Sequence, residues 1–476
     1  MSTKIAPPSI LAPGVSPWVA SVIACLCSFM VVVDAAIVNI ALPAMRDDLG
    51  LSSVGQQWVI DAYLLALGGC MLLAARASDL YGRRRILLAG LVLFTAASLV
   101  GGFATDGAML IAARTVQGFG ASSLATSTLA VIVMAYPDGP GRERAISLWA
   151  ACAAIAAAAG VTIGGVVTAF AGWRWVMFVN VPVGCLLLAM VATGLATQPQ
   201  RGKRARLDVA GAMTIVLAMT TLIYGVTQAA ESGWTSGLVR GCLATSLGLI
   251  LLFCLIEHRS ENPLIPLGLF RLRNISVGIV LVLGLGATLT SSMYFLSLIL
   301  QQLGGYGPFE TGLSLLPMAL TLAATAMVSR RLREAGFTRL PFLGGLLAAI
   351  GLFWLGWLPA HPNFMTQLLG PSLLVGGGLG LMIMSATQAV LAGVPAADSS
   401  LAAGLQNTAR QLGGAIGVAG LVTVSNHVAD RAVRAGAETA LAHLSGYQAA
   451  FWVAGAVSAV AALASLALIQ KRSGAA

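Results

Sequence analysis

The sequence contains few charged residues and none of the motifs that mark common soluble enzymes. Only 9% of its 476 residues are charged, and the seven cysteines form no CxxC pair. The four histidines lie outside the apolar runs and lack ligand spacing, so we expect neither a disulfide nor a metal site. No HExxH, P-loop or G-x-S-x-G motif occurs, and short G-x-G patterns follow no predicted strand. Metalloprotease, nucleotide-driven and dinucleotide-binding functions are therefore excluded.

Apolar residues dominate the chain. They make up 58% of it, and the mean hydropathy is +0.89. A helix needs about 20 apolar residues to cross a bilayer, so this composition is sufficient for about fourteen spans. The net charge of +10 comes from basic residues in short loops, where topology explains it better than nucleic-acid binding. We therefore expect an all-α integral membrane protein. Its expected partner is the lipid bilayer, and we expect no binding to nucleic acid.

Lys and Arg predict the orientation of these spans. The apolar runs lie near residues 18–42, 57–77, 86–104, 109–134, 145–170, 175–196, 207–229, 237–257, 275–300, 311–329, 341–358, 365–394, 402–425 and 447–470. Nineteen Lys and Arg residues fall in loops and tails on the side of the termini, against five on the other side. Because cytoplasmic loops carry excess Lys and Arg, both ends, residues 1–17 and 471–476, are predicted to be cytoplasmic tails, the first of them uncleaved.

A weak internal repeat divides the runs into two halves. Four positions recur after a shift of 254 residues: Arg76, Gly82, Arg85 and Gly90 against Arg330, Gly336, Arg339 and Gly344. The repeat predicts two six-helix bundles, at residues 18–200 and 261–470. Residues 201–260 then form two inserted central helices.

Asp34 is an acidic residue in the middle of the first apolar run. An isolated charge there costs roughly 3 kcal/mol on insertion scales, so such a residue is expected to have a partner and a function. At about 1.5 Å per residue, Asp34 lies roughly 13 Å inside Pro43, near the midplane where transporters keep their binding sites.

Arg114 in the fourth run is the predicted partner of Asp34. It lies roughly 10 Å inside the outer boundary, at a similar depth, and Gln117 shares its helix face. We expect Arg114 to face Asp34 directly, through Gln117 or through water. The alternative is that Arg114 extends to the interface while Asp34 pairs elsewhere.

Two further acidic residues, Asp79 and Asp61, have open interpretations. Asp79, beside Gly82 and Arg83 in the loop between the second and third runs, predicts a charge-assisted latch at the cytoplasmic side. A simple positive-inside loop explains the arginines but not Asp79 or Gly82. Asp61 is either a solvated residue at a helix end or a second carboxylate of a substrate cavity.

These motifs together resemble the major facilitator superfamily, in particular its fourteen-span drug:proton antiporter branch. The likeness rests on residues 34–43, 57–63, Asp79 with Gly82 and Arg83, Arg114 with Gln117 and Gly118, WRWVMFVNVPVG from Trp173, and residues 263–267, 301–312 and 410–414. The resemblance implies the major facilitator fold. The chain departs from the family pattern at Ala36, Ala75, Thr126 and Val161. Val161 leaves the direction of exchange open, because the span-five motif is the element most associated with antiport.

The function implied by the resemblance is export of amphipathic, cationic drugs or antibiotics across the cytoplasmic membrane in exchange for protons, by a monomer without a cofactor. Asp34 and Arg114 would couple transport to the proton. The expected cavity residues, several of them on family grounds alone, are Asp61, Tyr63, Gln117, Tyr294, Phe295, Gln301, Gln406 and Asn407. A dedicated transporter of one neutral or anionic metabolite is the alternative, favoured by Val161 and by Arg410 in span thirteen. An uncoupled channel or sensor is a third interpretation.

Overall fold

The structure is a computed structural model, which describes residues 10–136, 140–196, 208–260, 268, 272–337, 339–360, 362–391 and 399–467. These residues form helices joined by short turns, apart from one isolated bridge between Leu11 and Leu195. The helices are α1 (Pro17–Leu49), α2 (Ser53–Tyr81), α3 (Arg83–Gly102), α4 (Gly107–Ala135), α5 (Pro140–Ala171), α6 (Arg174–Phe178), α7 (Asn180–Gly194), α8 (Val209–Ser232), α9 (Gly237–Arg259), α10 (Arg273–Leu298), α11 (Pro308–Glu334), α12 (Leu340–Leu355), α13 (Leu369–Leu391), α14 (Ser399–Arg434) and α15 (Thr439–Ser465). π-Helical turns extend α10 over Ile299–Leu303 and precede α13 over Phe364–Leu368.

The ends of the first helices follow from their sequences. Pro17 begins α1 after Ser16, whose hydroxyl accepts a hydrogen bond from the Trp18 amide. Gly50 ends α1 in the left-handed conformation, with φ of 62°. Asp106 caps α4 by accepting a bond from the Met109 amide at 2.9 Å. These local signals fix where α1 and α4 start and hence the depth of their polar side chains.

The described helices agree with the predicted membrane class. Each of the fourteen predicted apolar runs overlaps a helix, with α6 and α7 together occupying the sixth run. Eleven of the described helical segments are long and apolar enough to cross a membrane, including the combined segment Arg174–Gly194. Two other apolar helices, Ala159–Ala171 and Leu340–Leu355, are shorter. The protein is an all-helical membrane protein, and the count of fourteen spans stays a prediction.

The helices pack as two related bundles. In the first, α1 packs on α5 and α4 packs on α2 and α3; in the second, α10 packs on α14 and α13 packs on α11 and α12. The bundles meet along two seams, α2 with α14 and α5 with α11. Helices α8 and α9 pack on each other, and α8 also contacts both α2 and α14. The predicted boundaries at residues 200/201 and 470/471 lie outside the described residues, and the boundary at 260/261 lies at their edge.

The two turns of the sequence repeat each contain a glycine with nearly the same positive φ. Gly82 between α2 and α3 has φ of 95°, and Gly336 between α11 and α12 has φ of 94°. This region of backbone space favours glycine, which explains why both turns carry it. Gly90 and Gly344 also occupy corresponding places: a Cβ on Gly90 would lie 3.0 Å from the Gly120 carbonyl oxygen of α4, and one on Gly344 would lie 2.6 Å from the Gly378 carbonyl oxygen of α13.

Candidate functional site

A buried ion pair between Asp34 and Arg114 forms the centre of the site. Arg114 Nη1 lies 2.6 Å from Asp34 Oδ2, and both side chains are almost completely removed from solvent. Asp34 comes from the middle of α1 and Arg114 from α4, so the pair joins two helices of the first bundle. In a low-dielectric interior each charge is tolerated only because the other is present.

Two amides complete the coordination of the Asp34 carboxylate. Gln117 Nε2 and Asn180 Nδ2 each donate to Asp34 Oδ1 at 2.8 Å. Gln117 lies one helical turn after Arg114, and its Oε1 accepts from Arg114 Nη1 at 2.6 Å. Gln117 Nε2 also donates to Ser98 Oγ, which in turn donates to the Phe94 carbonyl. The carboxylate therefore accepts three hydrogen bonds from three side chains, a shell suited to its ionised form.

Arg114 lies between this carboxylate and an aromatic ring. Its guanidinium carbon is 4.1 Å from the centroid of the Tyr63 ring, and its Nε donates to the Val59 carbonyl at 3.2 Å. Tyr63 donates through its hydroxyl to the Val31 carbonyl at 3.4 Å. Arg114 is thus held by a charge, a carbonyl and a π face, so its position responds to any change at Asp34.

Glycines allow the helices around the ion pair to approach closely. A Cβ on Gly118 would lie 2.6 Å from the Tyr63 carbonyl oxygen of α2. A Cβ on Gly160 of α5 would lie 2.8 Å from Ala36 Cβ of α1. Both distances are shorter than side chains tolerate, so the small residues of the fourth and fifth spans set the helix spacing that brings Asp34 and Arg114 together.

A cavity of about 350 Å³ opens beside the ion pair, between the two bundles. Arg114 and Tyr63 form part of its wall in the first bundle, whereas Asp34 lies behind them. The wall of the second bundle contains Asn407 and Arg410 of α14. Apolar residues from α1, α2, α5, α10 and α11 supply most of the remaining surface. A cavity of this type binds an amphipathic molecule.

The cavity extends from the middle of the molecule toward the predicted cytoplasmic face. Its wall includes Ser28 in the first half of α1 and Trp149 in the first half of α5. Toward the predicted outer face the bundles are joined. Ser297 Oγ donates to the Asn39 carbonyl at 3.0 Å, and Gln301 Nε2 donates to the Ile40 carbonyl at 3.2 Å. These two bonds connect α1 directly to the end of α10.

The structure corrects the placement of most predicted cavity residues. Tyr63 and Asn407 line the cavity; the six that do not are Asp61, Gln117, Tyr294, Phe295, Gln301 and Gln406. Gln117 is turned toward Asp34 behind Arg114. Gln301 belongs to the seam between α1 and α10. Gln406 precedes Asn407 on α14 but is not among the residues that line the cavity.

The aromatic pair of α10 faces away from the cavity. Tyr294 and Phe295 border a small pocket of about 20 Å³, together with residues of α1, α2, α14 and α15. The Phe295 ring packs on Tyr447 at 5.8 Å and on Phe451 at 6.1 Å between centroids. Contacts with α15, which the sequence alone could not place, therefore hold the Phe295 ring away from the cavity.

Asp61 is buried rather than solvated. Its exposure is 0%, and Gln57 Nε2 donates to its Oδ2 at 2.6 Å. Asp61 Oδ1 has no hydrogen-bond partner among the described residues. Neither the solvated helix-end interpretation nor the cavity interpretation matches this placement, because α2 begins at Ser53 and buries Asp61 two turns into the helix.

Gly82 provides the predicted turn between α2 and α3. It is the residue that separates Tyr81 at the end of α2 from Arg83 at the start of α3, and its amide donates to the Ser78 carbonyl at 3.1 Å. The Asp79 side chain lies outside the described residues. The latch between Asp79 and the neighbouring arginines therefore stays a prediction.

Sequence reasoning did not identify Asn180 or Ser98 as members of the ion-pair network. The Asn-x-Pro-x-Gly sequence that begins at Asn180 was the available signal, since an amide near the start of an apolar run requires a partner. The preceding Trp173 and Arg174 have a separate role. Both donate to Asp48 Oδ2, at 3.1 and 2.6 Å, and so fasten α6 to the end of α1.

No metal-binding arrangement is present in the part of the chain that the structure describes, since no three His, Cys, Asp or Glu side chains come together there.

Comparison with known proteins identifies relatives along most of the sequence. The sequence profile of the Major Facilitator Superfamily matches residues 24–418. The chain is 38% identical over 410 residues to the cephamycin export protein CmcT of Amycolatopsis lactamdurans, covering 85% of this chain and 84% of that protein. It is 36% identical over 475 residues to the puromycin resistance protein pur8 of Streptomyces alboniger, covering 98% and 93%.

Solved structures with the same fold include transporters of distant sequence. A peptide transporter of the POT family in complex with sulfate superposes with a TM-score of 0.69 at 15% identity, over 94% of both chains. A D-xylose–proton symporter superposes with a TM-score of 0.65 at 16% identity, over 95% and 98%. The profile match and the two curated relatives, together with the two-bundle architecture and its central cavity, show that this chain belongs to the Major Facilitator Superfamily and is a membrane transporter rather than an enzyme.

Proposed function

We propose that this transporter exports amphipathic antibiotic-like compounds across the cytoplasmic membrane in exchange for protons. It would do so as a monomer of the fourteen-span drug:proton antiporter branch, with both termini cytoplasmic and without a cofactor. The named relatives support export, since one is a cephamycin export protein and another a puromycin resistance protein. The observation that carries proton coupling is the buried Asp34 carboxylate, whose cationic partner Arg114 forms part of the cavity wall.

The proposed coupling step is the binding of a proton to Asp34. Ionised Asp34 accepts bonds from Arg114, Gln117 and Asn180. A protonated carboxyl carries no charge and offers fewer acceptor sites, so Arg114 loses the partner that offsets its own charge. Arg114 must then move toward the cavity or toward another acceptor. Because Arg114 touches Tyr63 on α2, the change at Asp34 reaches the wall against which substrate binds.

The conformation is suited to loading from the cytoplasm. The cavity extends toward the predicted cytoplasmic face, while Ser297 and Gln301 join the bundles toward the outer face. In the proposed cycle, substrate enters this state with Asp34 ionised, the seam opens, and a proton from outside displaces the substrate. The protonated transporter then returns, and Asp34 releases its proton to the cytoplasm.

One proton per cycle is energetically sufficient for useful export. A membrane potential of 100 mV contributes about 2.3 kcal/mol for each charge moved. Since about 1.4 kcal/mol corresponds to a tenfold concentration ratio, one charge supports a substrate gradient of about 50-fold across the membrane. A pH difference adds to this driving force.

The test is transport into everted membrane vesicles that express the full chain, energised by an acidic lumen. A cephamycin, the compound named in the export protein of Amycolatopsis lactamdurans, is the test substrate, and its accumulation in vesicles with wild-type protein is compared with that in Asp34→Asn vesicles. Asp48→Asn is the matched control, because Asp48 lies on the same helix in an ion pair of the same 2.6 Å length but is partly exposed at the outer end. We expect Asp34→Asn to lose gradient-driven accumulation and Asp48→Asn to retain it.

Two results would contradict the proposal. Gradient-driven uptake by Asp34→Asn at the wild-type rate would remove Asp34 from the coupling step. Uptake that requires an alkaline rather than an acidic lumen would show that proton and substrate move in the same direction, and the Val161 departure in α5 would then mark a symporter.

A further inference from the structure

Arg410 is a second cation in the cavity wall, and the proposed coupling step does not use it. It comes from α14 of the second bundle, whereas Arg114 comes from α4 of the first. Arg114 is neutralised by Asp34 at 2.6 Å. Arg410 has no ion pair within the described parts of the chain, where the ion pairs present involve Arg114 and Arg174.

The charge on the cavity wall is therefore positive. Among the described residues that line the cavity there is no Asp or Glu. Asp34 lies behind the wall, and its two carboxylate oxygens already accept hydrogen bonds from Arg114, Gln117 and Asn180. Asp61, the second carboxylate of this bundle, is buried and does not reach the cavity. Among the described residues of this wall, no side chain offers a negative charge to a cationic compound.

The backbone around Arg410 is held rigidly against α10. A Cβ on Gly286 would lie 2.0 Å from the Arg410 carbonyl oxygen, and a Cβ on Gly413 would lie 2.2 Å from the Leu283 carbonyl oxygen. Such close approach leaves α14 little freedom to shift along α10. The Arg410 backbone is thus closely packed, and its side chain lies on the cavity wall with Asn407 and Gln411.

We propose that Arg410 binds the carboxylate of an amphipathic anionic substrate, and that the exported compounds are carboxylic acids rather than cations. The inference rests on the proposed export function and gives it a substrate class. A guanidinium matches a carboxylate with two parallel hydrogen bonds, and an amide side chain next to it adds a further donor. The apolar surface contributed by α1, α10 and α11 receives the rest of the molecule.

The expected effect of losing Arg410 follows from the strength of such bonds. A hydrogen bond to a charged group contributes more than a neutral one, and its loss in a water-poor cavity lowers affinity by about ten- to a hundredfold. Lysine keeps the charge but not the two-pronged geometry, so Arg410→Lys is expected to lose less than Arg410→Gln.

The experiment compares two dyes on the same three-ring scaffold in proteoliposomes that contain the purified full chain. Fluorescein carries a free carboxylate, whereas rhodamine 123 is a cation in which that carboxylate is a methyl ester. Initial uptake into an acidic lumen is measured by filtration for wild type, Arg410→Gln and Arg410→Lys. Arg240→Gln is the matched control, since Arg240 lies on α9, away from the cavity, and bonds to the Thr235 carbonyl. Elution on size exclusion verifies that each variant is folded.

The proposal predicts that wild type and Arg240→Gln transport fluorescein at least tenfold faster than rhodamine 123, at equal dye concentration. Arg410→Gln should lose fluorescein transport by at least tenfold, with Arg410→Lys between the two. Faster uptake of rhodamine 123 by wild type, unchanged fluorescein uptake by Arg410→Gln, or no uptake of fluorescein by wild type would each overturn it.

Failure of the wider export function gives a different pattern. An Asp34→Asn protein measured in the same assay should lose the effect of the pH gradient but keep its preference for fluorescein when the dye moves down its own gradient. If the acidic lumen does not accelerate uptake of either dye by wild type, the proposal of proton exchange is wrong. The preference for anions can still be measured from the uptake of the two dyes down their own gradients.

Discussion

The Asp34–Arg114 pair makes an asymmetric prediction about stability that can be tested without knowing the substrate. Removing one partner of a buried ion pair leaves an uncompensated charge, at a cost of about 3–5 kcal/mol. In Arg114→Met the remaining charge is the Asp34 carboxylate, which keeps two amide donors from Gln117 and Asn180. We therefore expect Arg114→Met to lose about 3 kcal/mol in the free energy of unfolding, near the lower end of that range.

The opposite change should cost less. In Asp34→Asn the shape of the side chain is kept, and Arg114 retains the Gln117 Oε1 acceptor, the Val59 carbonyl and the Tyr63 ring. The double variant Asp34→Asn with Arg114→Met buries no charge at this place. It should be more stable than Arg114→Met alone, and the difference from additivity measures the coupling between the two groups.

The measurement is thermal unfolding of the detergent-solubilised protein, followed by intrinsic fluorescence. Arg174→Met is the matched control, because Arg174 pairs with Asp48 at the same 2.6 Å but both side chains are about half exposed. It should show little loss of stability. A double variant no more stable than Arg114→Met would refute the reasoning, since Asp34 would then not be the group left unpaired.

Three further predictions follow from close contacts. A Cβ on Gly118 would lie 2.6 Å from the Tyr63 carbonyl oxygen, so Gly118→Val should push α4 away from α2. We expect this variant to lose about 1–3 kcal/mol of stability, seen as a lower melting midpoint, and to transport more slowly. Gln301→Ala removes a bond to the Ile40 carbonyl worth about 0.5–1.5 kcal/mol, so labelling of an outer-face cysteine should rise about two- to tenfold as the seam opens more often. Gly82→Ala strains a backbone with φ of 95° by about 1 kcal/mol and should slow transport without changing substrate preference in the dye assay.

The ion pair could be predicted from the sequence because its partners are defined by depth alone. The sequence places Asp34 roughly 13 Å inside Pro43 and Arg114 roughly 10 Å inside the outer boundary, and a charge at that depth has few possible partners. In the structure α1 continues past Pro43 to Leu49, so Pro43 does not end the helix. The structure places Asp34 and Arg114 2.6 Å apart. The glycine turns of the repeat were equally accessible, because a positive φ restricts the residue type locally.

The cavity wall could not be predicted in the same way. Which face of a helix meets the cavity depends on rotation, and a helix that is apolar on all sides gives no signal for rotation. Phe295 illustrates this, since its ring packs on Tyr447 and Phe451 of α15 and does not line the cavity. The sequence indicates Arg410 as an intramembrane cation, but only the packing around it shows that it has no acidic partner among the described residues.

Asp34 and Arg410 together determine how many charges one cycle moves, and this number distinguishes the substrate classes independently of binding. Export of an anion in exchange for a proton transfers two positive charges inward, whereas export of a cation for a proton transfers none. At 100 mV the first exchange gains about 4.6 kcal/mol from the potential, equivalent to about 2,000-fold accumulation, and the second gains nothing. Proteoliposomes held at equal pH on both sides, with a potential set by valinomycin and potassium, should therefore accumulate fluorescein with the lumen positive and release it when the potential collapses. If fluorescein uptake does not depend on the potential, the cycle does not exchange an anion for a proton. In that case either Asp34 does not carry the proton or Arg410 does not bind the anion.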